Sequence, residues 1–244
     1  GNVQRQARVT HDVSRRTNTV HMGYGERILV CPTNAGQVLG VDLTSRSLAW
    51  AYPYREQAPQ TVNFPGAMNN MRGGVVFGPG GAMNMGAAAT IANWKSSPPV
   101  IVEGKVVFTA PDATSVHCIN LRDGTPVWKK RQMDGDLFLA GVFQGKALVV
   151  GRSSIRALDI HKNGDMAWYQ STGDMPAGQG VASKNVYYLP LKKGEILAVD
   201  VETGQVKAHN KAKDPETPLG NLVFYEGAVI AQTPGQRVGF RSAR

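Results

Sequence analysis

The chain has 244 residues and a formal net charge of +9, and 42% of its residues are hydrophobic. This length and apolar content suit one large domain, or part of a larger protein, with a sizeable core. No run of 18 apolar residues occurs, so no transmembrane helix is expected. No charged and then apolar leader follows Gly1, so the compartment cannot be read from a signal peptide. The basic residues are scattered without interleaved aromatic side chains, which gives no support for a nucleic-acid partner.

The predicted elements are short strands, because the 28 glycines and 14 prolines favour many turns. Residues 1–18 are polar and lack a clear period, and we interpret them as an N-terminal arm or the remnant of a preceding unit. In residues 19–244 the strand patterns come in groups of four. The first group is Thr19–Tyr24, Arg27–Cys31, Gly36–Leu43 and Ser47–Tyr52. Further groups are predicted within 99–130, 139–170 and 180–208, and a partial group within 222–240.

Residues 53–95 interrupt this pattern with a segment rich in glycine, methionine and asparagine. Its composition predicts a long loop, and long loops of compact domains are often functional. Met83 and Met85 form a candidate copper-binding pair, because thioether sulfur suits a soft metal such as Cu(I). The alternatives are contact with a partner, for which methionine is an adaptable residue, and packing of the loop on its own domain.

A repeat follows from the residues that end the third strand of each group. Asn120, Asp159 and Asp200 are separated by 39 and 41 positions, and Asp42 lies 78 positions before Asn120 because of the inserted segment. A period near 40 with four short strands per unit is the signature of a β-propeller blade. Each of these side chains is expected to cap backbone N–H groups of the following turn. Catalysis by them is not expected, because the same position recurs in every unit.

Three groups also end in a tryptophan, namely Trp50, Trp128 and Trp168, whereas the fourth group has Ala208 at this position. A large aromatic ring at the end of a fourth strand can bury much area between neighbouring sheets. We therefore predict that these tryptophans pack in the core between blades.

The unit with Ala198-Val199-Asp200 and the turn Thr203-Gly204 resembles the pyrroloquinoline-quinone-type (PQQ-like) propeller repeat, as do the units that end in Trp128 and Trp168. The unit from Cys31 to Trp50 is similar to PQQ-like propellers of planctomycete-type bacteria. The resemblance implies an all-β fold, a β-propeller of four-stranded antiparallel blades, with about four complete blades and a partial fifth in an incomplete ring. An incomplete ring exposes apolar blade faces. We expect a partner chain or further blades of the same polypeptide to cover them.

The resemblance leaves an enzymatic branch open. Quinoprotein dehydrogenases of this type bind PQQ and calcium, and they commonly place two adjacent cysteines over the cofactor. Here Cys31 and Cys118 lie 87 positions apart; we expect two buried thiols, with a disulfide as the alternative. No calcium-ligand spacing stands out, so no catalytic, cofactor-binding or metal residue is assigned. We expect no cofactor and no enzymatic activity, and a PQQ-binding oxidoreductase fragment is the alternative.

The non-enzymatic branch is similar to the lipoprotein that assists outer-membrane protein assembly, which binds partner proteins through its loops. This resemblance implies a non-catalytic protein-binding scaffold, located in the periplasm or elsewhere in a bacterial cell envelope and able to assemble in a larger complex. The loops that begin each blade should gather at one face near the propeller axis. Asp136, Gln179 and Asn221 are the polar residues in these loops that we predict to contact a partner. The alternative role of each is turn chemistry.

Overall fold

A computed structural model describes residues 20–55, 94–95, 97–211, 219–233 and 236–241 of the chain. Every regular element of these residues is a β-strand, and consecutive strands pair antiparallel in five sheets, here called blades 1 to 5. Blade 1 contains β1 (Gly23–Gly25), β2 (Ile28–Pro32), β3 (Gln37–Asp42) and β4 (Ser47–Pro53). Blade 2 contains β5 (Val100–Val102), β6 (Lys105–Phe108), β7 (Ser115–Asn120) and β8 (Pro126–Arg131).

The other three blades follow the same order along the chain. Blade 3 contains β9 (Asp136–Phe143), β10 (Lys146–Gly151), β11 (Ser154–Asp159) and β12 (Asp165–Ser171). Blade 4 contains β13 (Val181–Ser183), β14 (Val186–Leu191), β15 (Glu195–Asp200) and β16 (Val206–Lys211). In the described residues blade 5 has three strands, β17 (Asn221–Tyr225), β18 (Ala228–Thr233) and β19 (Gln236–Arg241).

The all-β propeller with four complete blades and a partial fifth is therefore confirmed, and no sheet closes a ring within the described part of the chain. The largest difference from the predicted bounds is at β1, which begins at Gly23 instead of Thr19. The arm at 1–18 lies outside the described residues. So does most of the segment at 53–95, including Met83 and Met85.

The blades are arranged around an axis that their first strands approach most closely. Contacts between blades join β1 with β5, β5 with β9, and β13 with β17. The fourth strands are the most exposed, as β8 and β16 illustrate. Blades in the middle are buried on both faces, so all residues of β7 except the last are buried. In blade 1, by contrast, burial alternates along β2, because only one of its faces is covered.

A tryptophan from each of blades 1 to 3 fixes the next blade. Trp50 Nε1 donates to the carbonyl oxygen of Leu121 at 2.7 Å, and the ring lies against Gly124, where a Cβ atom would come within 2.8 Å of it. Trp168 repeats this geometry between blades 3 and 4, with a 2.8 Å hydrogen bond to the carbonyl oxygen of Val201. The predicted role of these rings between blades is confirmed. The other ring of this set, Trp128, packs against Gly164.

In blades 1 to 4 the acid or amide at the end of the third strand caps the turn that follows, as predicted. Asp42 Oδ1 accepts the Thr44 amide at 2.7 Å, and Asp200 Oδ1 accepts the Thr203 amide at 2.9 Å. These amides hold the pKa of both carboxyl groups below the ordinary range of aspartate. Each turn then reverses the chain so that the fourth strand of the blade can pair with the third. Asn120 and Asp159 cap their turns in the same way.

Candidate interaction surfaces

The antiparallel order of each blade divides its connections between two ends of the propeller. One end carries the loops that begin each blade and the turns between second and third strands; we call it the loop end. The opposite end carries the turns between first and second strands and between third and fourth strands; we call it the turn end. The three predicted contact residues belong to the loop end.

Asp136 begins β9 at the loop end, and its carboxylate is 3% exposed. Arg156 Nη2 donates to Asp136 Oδ2 at 2.6 Å, and the Met133 amide donates to the same oxygen at 2.8 Å. The guanidinium of Arg156 is 4% exposed, so this is a buried ion pair with its hydrogen bonds made. Asp136 thus positions the loop at 132–136 that begins blade 3. Direct contact of Asp136 with a partner stays a prediction.

Gln179 and Asn221 are brought together although 42 positions separate them. Asn221 Oδ1 accepts the Gln179 amide at 2.9 Å, and the Leu222 amide donates to the Gln179 carbonyl oxygen at 2.8 Å. Both residues are exposed. The reciprocal bonds fix the backbone between blades 4 and 5 and leave the Gln179 side chain facing solvent. The structure places Asp136 in a different blade, so it brings together two of the three predicted residues.

A second loop-end cluster, not predicted from the sequence, joins blades 1 and 2 where the segment at 53–95 begins. Tyr54 is 3% exposed, and its hydroxyl donates to Asp112 Oδ1 at 2.7 Å while accepting the Gly36 amide at 3.2 Å. Arg55 Nη2 pairs with the other Asp112 oxygen at 2.5 Å. Burial and the Asp112 carboxylate together raise the pKa of Tyr54 above the ordinary value. The cluster anchors the start of the inserted segment against blade 2.

At the turn end, a solvent-open groove of about 470 Å³ lies between blades 1 and 2. Two arginines and two acids line it, above an apolar floor. Arg27 adopts a left-handed backbone with φ of +70°, where blades 2, 3 and 5 have glycine. A groove that is open to solvent and carries both charge signs suits a peptide segment. It suits a cofactor less well, because cofactor sites are usually enclosed and mostly apolar. The lining residues are Glu26, Arg27, Ile28, Asp42, Ala49, Leu121 and Arg122.

The described residues offer no arrangement typical of a redox or metal centre. No group of three or more His, Cys, Asp or Glu side chains among them could hold a metal ion. Cys31 and Cys118 are free thiols; Cys118 is buried as expected, whereas Cys31 is only half-buried because one face of blade 1 is uncovered among the described residues. Burial raises the pKa of both thiols, that of Cys118 to about 12. Neither thiol is activated for nucleophilic chemistry. No helix of the described residues is long and apolar enough to span a bilayer.

Four-stranded meander blades joined by a tryptophan-to-glycine contact define a PQQ-like β-propeller. The family model described as outer membrane protein assembly factor BamB matches residues 82–239, well over half of the sequence. The chain belongs to this family. A search of curated proteins finds no match.

Comparison with a solved BamB structure supports the fold. The crystal structure of BamB from Moraxella catarrhalis superposes with a TM-score of 0.60 at 16% sequence identity. The alignment covers 92% of this chain, and the chain spans 58% of the length of that protein. The computationally designed Ika4 protein has a TM-score of 0.49 at 14% identity, over 59% of this chain and 89% of its own.

Proposed function

We propose that this chain is a non-catalytic protein-binding module that works in outer-membrane protein assembly in a bacterial envelope. The observation that carries the proposal is the match to the BamB assembly-factor family over residues 82–239. The proposal assigns the binding of a partner to the loop end, where the loops of successive blades are exposed around the axis. Gln179 and Asn221 are the proposed contact residues there, and Asp136 with Arg156 holds the neighbouring loop.

The physical support is a rigid backbone under exposed side chains. The bonds between Gln179 and Asn221 and between Gln179 and Leu222 order the loop before any partner binds. Ordering a loop in advance lowers the entropy cost of association. The buried Asp136–Arg156 pair does the same for blade 3. A loop end of this kind is suited to protein recognition without any bound cofactor.

Site-specific photo-crosslinking in bacterial cells tests this function. A photo-reactive amino acid at Gln179 should form adducts with a component of the outer-membrane protein assembly machinery, identified by mass spectrometry. The matched control is the same amino acid at Tyr169, which is 51% exposed on the outermost strand of blade 3. We expect at least a severalfold excess of the adduct at Gln179.

Equal adduct yields at Gln179 and Tyr169 would contradict the proposed binding face. The enzymatic alternative is checked on the purified protein by adding PQQ with calcium and measuring bound cofactor by absorbance and mass. Retention of PQQ together with dye-linked dehydrogenase activity would contradict the non-catalytic function and support an oxidoreductase function.

A further inference from the structure

The turn between the third and fourth strands of blade 3 contains the one Asn-Gly dipeptide of the chain, Asn163-Gly164. Asn163 is exposed, and no hydrogen bond to another described residue holds its side-chain amide. Glycine has no side chain to shield its backbone nitrogen. An asparagine followed by glycine is therefore open to deamidation, the loss of the side-chain amide as ammonia. The equivalent turns of blades 1, 2 and 4 have no asparagine before glycine, and they contain Ser45-Arg46, Asp123-Gly124 and Thr203-Gly204.

This turn of blade 3 is longer than its counterpart in blade 1. Strand pairing leaves five residues, 160–164, in the turn of blade 3 but four, 43–46, in the turn of blade 1. The longer turn has two consecutive left-handed residues, Asn163 with φ of +54° and Gly164 with φ of +70°. Asparagine adopts this backbone more readily than most residues that have a side chain. The added residue thus gives blade 3 a deamidation-prone pair at the point where blade 2 docks.

In the closed turn the backbone prevents the reaction. The Gly164 amide donates to the carbonyl oxygen of Asp159 at 2.9 Å, so its nitrogen is not available to attack another group. Asp159 is itself fixed, because its carboxylate accepts the His161 amide at 2.9 Å and pairs with Lys146 at 2.8 Å. Deamidation therefore requires that this turn opens first.

Blade 2 holds the turn closed. The ring of Trp128 lies over Gly164, where a Cβ atom would come within 2.7 Å of it, and Cε of Lys130 would be 3.1 Å from the same atom. The Lys130 ammonium also pairs with the carboxylate of Asp165 at 2.8 Å. Gly164 is buried under these two side chains, although Asn163 beside it is exposed. Opening of the turn therefore needs a local separation of blade 2 from blade 3.

From this geometry we propose that Asn163 is a deamidation site that reacts only when blades 2 and 3 separate at this turn. In the open turn the Gly164 nitrogen forms a bond to the side-chain carbonyl carbon of Asn163. The bond from that carbon to the side-chain nitrogen breaks, and ammonia leaves with the proton of the Gly164 amide. Water then opens the succinimide ring at either carbonyl carbon, with its hydroxyl on that carbon and its proton on the ring nitrogen, and leaves aspartate or isoaspartate. The site goes beyond the partner-binding function of the loop end and does not depend on it.

The modified turn is not expected to close as before. Either product adds a negative charge between the carboxylates of Asp159 and Asp165, and like charges repel. Isoaspartate also lengthens the backbone by one carbon atom directly before Gly164, which displaces its amide from Asp159 and its Cα atom from the ring of Trp128. Deamidation thus records an opening of the turn and weakens the contact between blades 2 and 3 afterwards.

Peptide mapping by mass spectrometry on the full chain at mildly alkaline pH measures the reaction, and labelling by an isoaspartyl methyltransferase detects the isoaspartate product. We expect the chain unfolded in urea to deamidate at Asn163 at least about tenfold faster than the folded chain, because only the open turn reacts. Asn163→Gln should give no product at this position, since ring closure from the longer side chain is slow. Asn210, exposed on β16 but followed by lysine, is the internal control for exposure alone and should stay intact in the folded chain.

Two matched tryptophan variants locate the contact that controls the reaction. Trp128→Ala uncovers Gly164, whereas Trp50→Ala uncovers the equivalent Gly124 between blades 1 and 2. With both folds checked by circular dichroism, Trp128→Ala should raise the rate at Asn163 about tenfold or more, and Trp50→Ala should change it less than about twofold. Urea at concentrations below the unfolding transition gives a second measurement on the wild-type chain, and the rate should rise there before the global transition.

The outcomes separate the site from its control by the blades. Absence of product at Asn163 in the unfolded chain overturns the site, and equal rates in the folded and unfolded chain overturn its control by the turn. An equal rise in the two tryptophan variants, or a rate that rises only with global unfolding, would assign the reaction to the unfolded chain and overturns the proposal as well.

Discussion

Two physical effects favour glycine in the turn between the third and fourth strands of a blade: a left-handed backbone and the close approach of a tryptophan ring. The two effects can be measured separately. Gly164 has a φ of +70°, and a Cβ atom there would lie 2.7 Å from the ring of Trp128. Gly173 has nearly the same backbone, with φ of +71°, but nothing lies within 4 Å of a Cβ atom. The pair separates backbone strain from loss of the tryptophan contact.

We expect Gly173→Ala to lower the free energy of unfolding by about 1 kcal/mol, the strain of a left-handed alanine. Gly164→Ala should lower it by about 3 kcal/mol, because overpacking against Trp128 adds to the same strain. Urea denaturation followed by circular dichroism measures both. Equal losses would mean that Trp128 shifts without cost and that the close contact does not stabilise the blades.

At the scale of the elements, one tryptophan ring links the fourth strand of each of blades 1 to 3 to the next blade. The links differ in hydrogen bonding. Trp50 and Trp128 are 6% and 5% exposed, but only Trp50 Nε1 has an acceptor, the Leu121 carbonyl oxygen. Trp128 Nε1 is buried without a hydrogen-bond partner among the described residues. A buried N–H without a partner costs about 1 to 3 kcal/mol.

Replacement of each ring by phenylalanine should therefore have unequal effects. Trp50→Phe should lower the free energy of unfolding by about 1 to 3 kcal/mol more than Trp128→Phe, since it removes a hydrogen bond and the other change removes an unpaired donor. Both changes delete similar volume, so the difference isolates the N–H group. Thermal unfolding of the two variants measures it. A larger loss for Trp128→Phe would contradict the hydrogen-bond assignment.

At the scale of the whole molecule, the blades form a linear series in which each contacts its neighbours. Stability then depends on intrinsic and nearest-neighbour terms, as in repeat proteins. Trp50 links blade 1, the first described blade, to blade 2. Blade 5 is the last described blade, and the adjoining strand β16 carries Ala208 instead of a tryptophan. Blades 1 and 5 should therefore differ in local stability.

Amide hydrogen exchange should detect this difference. We expect amides of β17 and β18 to exchange roughly tenfold faster than those of β2 and β3. The strands β10 and β11 of blade 3 should exchange most slowly, because both faces of that blade are covered. Equal exchange in blades 1 and 5 would show that the tryptophan link does not set the local stability of a blade.

The loop end shows why the site was less predictable than the fold. Gln179 and Asn221 were identified as polar residues of adjacent loops, and they do meet. The pairing of Asp136 with Arg156 was not predicted, because it depends on a contact between the first and third strands of a blade. The Tyr54–Asp112 contact spans 58 positions and two blades. A Pro-Asp turn and a tyrosine after a fourth strand were visible in the sequence, but nothing local links them.

The sequence by itself determined the number and order of strands, the period, the capping acids and the blades that end in tryptophan. These features depend on alternation, turn residues and spacing, which are local. Only the tertiary structure decided which turn receives each tryptophan and which polar residues are buried. Those outcomes depend on contacts about one blade apart in the chain, and the close approach of Trp50 to Gly124 exists only once the blades are packed side by side.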